Sequence, residues 1–294
     1  YLVRVCEISP YRIAAVTFTN KAAREMRDRL HRLVGTRSDA LTVGTFHAFC
    51  ALLLRRDGSY LGLPSNYTIY DADDQLALIK QAMELAELDP KQFRPQAVRS
   101  VISRAKSVLL DSQGLAQYQK NYFEERCARV YHHYEELLAR NNAVDFDDLL
   151  LKAVQLLQEH QEVRERYQDR YLYLMVDEFQ DTDPLQAEIL LLLSSEDRDE
   201  TDASRVTPVP GKLFLVGDPK QAIYGFRGGD LDAYLSARPT DDARVGLASF
   251  AQLVSPRDYL GLVSAWYFGD ALDTPSLLEF ICLEDVQSDL DANH

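Results

Sequence analysis

Four short apolar runs, each ending in a polar cluster, constrain the fold of this 294-residue chain more than any other feature. Residues 12–16 (RIAAV) give way to TFTN at 17–20, and residues 41–43 (LTV) to GTFH at 44–47. Residues 171–176 (YLYLMV) give way to DEFQD at 177–181, and residues 213–216 (LFLV) to GDPKQ at 217–221. Runs that are apolar throughout, rather than alternating, mark strands covered on both faces, and helices between them indicate a parallel sheet. Ligands of such sheets sit at the carboxyl ends of the strands, so the four polar clusters are expected to converge on one crevice.

The helix after the first run is expected to be capped by Asn20, to present Ala22, Met26, Leu30 and Leu33 on one face, and to stop at Gly35. Between the second and third runs, residues 72–160 lack strand character and carry helical periodicity, for example Leu76, Ile79, Ala82 and Met83, with breaks at Asp89-Pro90 and Gly114. This reads as a mostly helical insertion of about a hundred residues, large enough to be a subdomain. The acidic, proline-containing segment 194–211 reads as a mobile loop between strands.

A hydrophobic content of 46% over this length supports a sizeable core and more than one structural unit. No apolar run approaches the ~20 residues that span a bilayer, and the early Arg4 and Glu7 do not suit a signal peptide, so cytoplasmic residence is expected. Cys6, Cys50, Cys127 and Cys282 have no CxxC spacing and are expected to be reduced, mostly buried thiols; His132-His133 reads as helix surface. The net charge of −14 excludes a generally basic nucleic-acid binder, but residues 1–59 hold ten Lys/Arg against five Asp/Glu, whereas residues 241–294 hold ten acids against Arg244 and Arg257. A phosphate-tracking surface therefore belongs near the amino-terminal end, where solvated arginine-rich helix faces are the alternative.

The third run ends in Asp177, Glu178 and Asp181. A carboxylate at a strand end suits Mg²⁺, which takes one or two protein oxygens, keeps its waters and bridges substrate phosphates. An adjacent Glu suits the base that orients and deprotonates an attacking water. Asp177 is thus the candidate metal ligand and Glu178 the candidate base, whereas Asp181 and Thr182 suit the start of the helix at Asp183-Pro184.

Five ordered stretches, AVTFTNKAAREMRDRL (15–30), VGTFHAF (43–49), VDFDDLL (144–150), VDEFQDT (176–182) and VGDPKQAIYGFRGGDL (216–231), resemble successive motifs of the UvrD/Rep/PcrA and RecB/AddA helicases of superfamily one. The resemblance covers roughly residues 1–240 and implies an α/β fold: a RecA-like parallel sheet of the P-loop NTPase type, interrupted by a helical subdomain. It implies a first part of the ATPase domain at 1–57, the insertion at 58–165, and a second part at 166–240. The activity implied is that of an ATP- and Mg²⁺-dependent motor that moves on single-stranded DNA and unwinds duplex DNA in repair, replication or recombination. Helicase-nuclease partner subunits are implied by the RecB/AddA branch.

Carried over by position, Asp177 resembles the magnesium ligand, Glu178 the catalytic base, Gln221 the γ-phosphate sensor and Arg227 the arginine near both nucleotide and strand. Phe18, Asn20, Thr45 and His47 match positions that line the DNA track, and Tyr224 and Phe226 resemble the platform on which bases stack. His47 also suits a helix cap or a core histidine, and Tyr224 and Phe226 suit core aromatics. The wording around Pro219-Lys220 is nearer the RecB/AddA branch and residues 8–23 nearer UvrD and Rep, so both branches stay open.

The sequence contains no G-x-x-x-x-G-K-S/T loop, the only Gly-Lys pair being Gly211-Lys212 before Leu213. The resemblance implies that residue 1 lies within the helix that follows that loop, that the front is truncated, and that the later motifs are absent. Residues 241–294 faintly resemble a helical stretch of a RecB-like second-domain insertion; an acidic helical tail is the alternative. A truncated, non-catalytic module that binds single-stranded DNA or a protein is the second functional reading, and a metal nuclease using Asp177, Glu178 and Asp181 the third.

Overall fold

The structure is a computed structural model that describes residues 1–118 and 121–216. It divides into two compact units. The first comprises Tyr1–Gly44, Gln168–Thr182 and, among the described residues, 194–216; the second comprises Thr45–Tyr167 and Asp183–Leu193.

The first unit is built on a sheet of β1 (Ile13–Thr17), β2 (Thr42–Thr45), β5 (Tyr173–Val176) and β6 (Leu213–Leu215), in the order β2-β1-β5-β6. All four apolar runs supply its strands, and β1 and β5, like β5 and β6, pair in parallel. Ile13 lies opposite Tyr173 and Val16 opposite Val176. Every residue of the central strand β1 is buried, which is why its sequence shows no alternation. The ladder extends past the end of β5: Asp177 N–H donates to Val16 O at 3.0 Å, Val216 N–H to Val176 O at 2.7 Å and Phe179 N–H to Val216 O at 2.9 Å. The carboxyl end of β5 is therefore held from both sides.

Helix α1 (Asn20–Val34) follows β1 and ends at Gly35, whose φ of 65° is the left-handed region that glycine enters without a Cβ penalty. Its cap is Thr19, not Asn20: Thr19 Oγ1 accepts from Ala22 N–H at 3.1 Å, and Asn20 is already the first helical residue. The buried face is centred on Ala23 rather than Ala22, a turn of about 100° per residue. Met26 and Leu30 are half-buried, while Leu33 rotates into solvent with 52% exposure, outside the expected stripe. Residues 1–8 do not form a helix; Val5 N–H and Cys6 N–H close a single turn on Tyr1 O at 2.7 and 3.2 Å. The segment after residue 194 is tied at its ends by a Ser195–Pro208 bridge and by Glu196 N–H to Thr207 O at 2.8 Å.

The second unit is mostly helical: α2 (Phe46–Asp57), α3 (Ala72–Leu85), α4 (Pro95–Lys106), α5 (Ser112–Tyr118), α6 (Tyr122–Arg140) and α7 (Phe146–Glu159). Helices α8 (Gln161–Arg170) and α9 (Pro184–Ser194) fall largely within it. Leu78, Ile79, Ala82 and Met83 of α3 pack with Val98 and Ile102 of α4 and with Tyr131 and Tyr134 of α6. Asp89-Pro90 lies in the expected break between α3 and α4. Gly114 does not break a helix. It is the third residue of α5, and its N–H donates to Asp111 Oδ1 at 2.6 Å as part of the start of that helix. The region is also not free of strands, because β3 (Thr68–Ile69) and β4 (Ala143–Val144) form a two-residue parallel pair.

Candidate functional site

Strand β5 stops where burial of a side chain ceases to be free of charge, at Asp177 and Glu178. Asp177 Oδ1 turns back to accept from Glu178 N–H at 3.0 Å. Glu178 occupies the left-handed region, at φ 58° and ψ 36°, which costs a residue bearing a Cβ roughly 1 to 2 kcal/mol. Its Oε2 accepts from the hydroxyl of Thr17 at 3.1 Å, and Thr17 is the last, fully buried residue of β1. Phe179 is buried in the 3-10 turn Phe179–Asp181 that follows.

Burial pushes the Asp177 carboxyl above its ordinary range; the Glu178 N–H opposes the shift, the Glu178 charge adds to it, and Arg29 opposes it. Two adjacent carboxylates at a strand end suit a hard cation that accepts one or two oxygens and keeps its own waters. Among the described residues no group of three or more His, Cys, Asp or Glu could hold a metal ion. Asp181 is buried in the 3-10 turn, and the residue that caps α9 is Asp183, whose Oδ1 accepts from Gln186 N–H at 2.9 Å. Burial pushes the Asp183 carboxyl up to about 6.

Phe18 is half-buried and Asn20 exposed, both in the first unit at the turn from β1 into α1. In the second unit Thr45 Oγ1 accepts from Ala48 N–H at 3.3 Å, so Thr45, not His47, caps α2. His47 meets the edge of Phe146, with ring centroids 5.7 Å apart and an interplanar angle of 74°. Burial lowers the His47 pKa and so favours the neutral imidazole. Phe146 is 48% exposed although it lies between Asp145 and Asp147 at the start of α7, a candidate surface aromatic to which the sequence reading gave no role. The signal was present: an aromatic at the first position of a helix whose cap and first turn are acidic cannot be explained by that helix's own core pattern.

Beneath it, Asp145 and Asp148 form a capping box at the start of α7. Lys106 of α4, 1% exposed, reaches Asp145 at 2.7 Å and Asp148 at 2.8 Å, and Asp145 also accepts from Tyr134 at 2.7 Å and Gln75 at 3.0 Å. Burial alone would depress the Lys106 pKa, but Asp148 and Asp145 together carry it above its ordinary value. The VDFDDLL stretch thus anchors α7 to α3, α4 and α6. Gln221, Tyr224, Phe226 and Arg227 lie outside the described residues, as do Cys282 and the acidic segment 241–294.

The UvrD/REP helicase N-terminal domain family matches this chain over residues 1–241. The chain belongs to that family. The ATP-dependent DNA helicase PcrA of Staphylococcus aureus (strain Mu50 / ATCC 700699) is 38% identical over 236 residues, which cover 80% of this chain and 30% of the relative. PcrA of Staphylococcus epidermidis (strain ATCC 12228 / FDA PCI 1200) is 36% identical over 236 residues, 80% of this chain and 31% of the relative. The chain therefore spans less than a third of the length of these UvrD/REP relatives. Of the two branches left open by the sequence, these matches lie on the UvrD/Rep/PcrA side. The parallel sheet and its helical partner unit accord with a RecA-like helicase domain of this family. Among the described residues, no helix of this UvrD/REP chain is long and apolar enough to cross a membrane.

Proposed function

We propose that this chain is part of an ATP-dependent DNA helicase, a motor that hydrolyses ATP with Mg²⁺ to move on single-stranded DNA and open duplex DNA. The observation that carries the reading is the acidic pair at the end of β5: Asp177 raised by burial, with Glu178 beside it in a left-handed conformation and engaged by Thr17. Asp177 would hold the magnesium ion, which when bound supplies charge neutralisation for the nucleotide phosphates. Glu178 would orient the attacking water and accept its proton. Gln221 and Arg227 would complete contacts to the nucleotide, and Phe18, Asn20, Thr45, His47, Tyr224 and Phe226 would contact the strand. In this reading residues 1–57 and 166–240 are the two parts of the ATPase domain, 58–165 the insertion, and 241–294 a tail. Cytoplasmic residence and, from the resemblance to the RecB/AddA branch, partner subunits of a helicase-nuclease assembly belong to the same proposal.

Replacing Glu178 by Gln keeps the shape and removes the base. In the full-length protein E178Q is expected to lower DNA-stimulated ATP turnover at least about a hundredfold, with ATP affinity within about threefold of wild type. Near-normal turnover would sink the assignment.

A further inference from the structure

A base is useful only if its carboxylate points where the water will be, and a glutamate side chain has three rotatable bonds with which to point elsewhere. At Glu178 the left-handed backbone sets the direction in which the side chain leaves the chain, and the hydroxyl of Thr17 meets its Oε2 at 3.1 Å. Thr17 is itself poorly free to move. It closes a strand whose every residue is buried, its side chain is fully buried, and β-branching restricts its χ1. The strand carrying it is locked in register to the strand carrying Glu178, by Val16 opposite Val176 and by Asp177 N–H on Val16 O. A fixed donor aimed at one oxygen of the proposed base is what preorganisation of that base requires.

We infer that Thr17 is a positioning residue for the Glu178 carboxylate, holding it in the orientation that water activation needs. This role depends on Glu178 being the base proposed above. Thr17→Val keeps the volume and the strand preference and removes the donor; Thr17→Ser keeps the donor and removes a methyl group.

Two readouts test it. In the 294-residue chain labelled with ¹³C at the glutamate carboxyl, and with the Glu178 resonance assigned by its loss in E178Q, T17V is expected to move that resonance by more than its linewidth and T17S to leave it in place. In the full-length protein, T17V is expected to lower kcat for DNA-stimulated ATP turnover about tenfold with KM for ATP changed less than about twofold, and T17S to recover to within about threefold of wild type. An unmoved resonance in T17V, or T17S as slow as T17V, overturns the role. Wild-type turnover in T17V beside an inactive E178Q overturns the positioning alone, whereas normal turnover in E178Q overturns the base reading on which it depends.

Discussion

In the first turn of α7, Asp147 is pushed up to about 6 by burial first and by the Asp145 charge second, against a Ser103 hydrogen bond and the Lys106 charge. Its folded value exceeds the ordinary 3.8, so the folded state binds the proton more tightly than the unfolded one. The associated stability is present below about pH 4 and is lost as pH rises through about 6. Asp147→Asn should therefore raise the urea midpoint at pH 7.5, by on the order of 1 kcal/mol in stability, and the gain should vanish by pH 4. A gain of equal size at both pH values would assign the effect to packing. Residues of this kind differ in how legible they are. Asp177 and Glu178 stand out because acids directly follow an apolar run; Thr17 does not, because its partner lies 161 positions away and nothing in a strand's period names its neighbour. Phe146 does not stand out in the sequence because helical periodicity reports what faces a helix's own core, not what an adjacent helix offers it.

At the scale of elements, helix α1 separates two readings by a single position. Both Thr19 and Asn20 are good caps in sequence, and the choice is made by the extended backbone of Thr19, φ −112° and ψ 149°, which leaves β1 and aims Oγ1 at Ala22 N–H. Thr19→Ala should cost about 1 kcal/mol in urea unfolding, whereas Asn20→Ala, at an exposed helical position, should cost nothing or stabilise slightly. The reverse ranking would move the cap back to Asn20. Strands β1, β5 and β6 were legible as uninterrupted apolar runs of three or more residues, whereas β2, Thr-Val-Gly-Thr, was legible from its place before a polar cluster and a helix. The β3–β4 pair was not, since two residues carry no period, and Ala143–Val144 merely continues the apolar pattern between α6 and α7. Gly114 misled for a related reason: glycine reads as a stop, yet here its N–H is one of the unsatisfied donors at a helix start, and Asp111 supplies the acceptor.

Over the whole molecule, charge separates along the chain in a way the total conceals. A chain of net charge −14 approaches DNA against its own field unless the contact is local, and Arg24, Arg27, Arg29 and Arg32 of α1 are all exposed. If these residues neutralise phosphates, log affinity for single-stranded DNA should fall linearly with log salt, and R24E/R27E should reduce the slope by roughly 1 to 1.5. R129E/R140E, on α6 in the other unit, should weaken binding without flattening the slope. Equal slopes for both pairs would remove α1 from the phosphate-tracking surface.

The pairing of β1 with β5 has a consequence in time. Ile13 leaves the ribosome long before its partner Tyr173 exists, and at roughly 5 to 20 residues per second the wait is on the order of 10 to 30 s. By the end of that interval helices α1 to α8 have been synthesised, while the apolar strand that will become the centre of the sheet still has no neighbour on the β5 side. Nascent-chain chaperones thus have a long opportunity at the segment IAAVT, and mutations that slow formation of the intervening helices would be felt as aggregation of a strand distant from them in sequence.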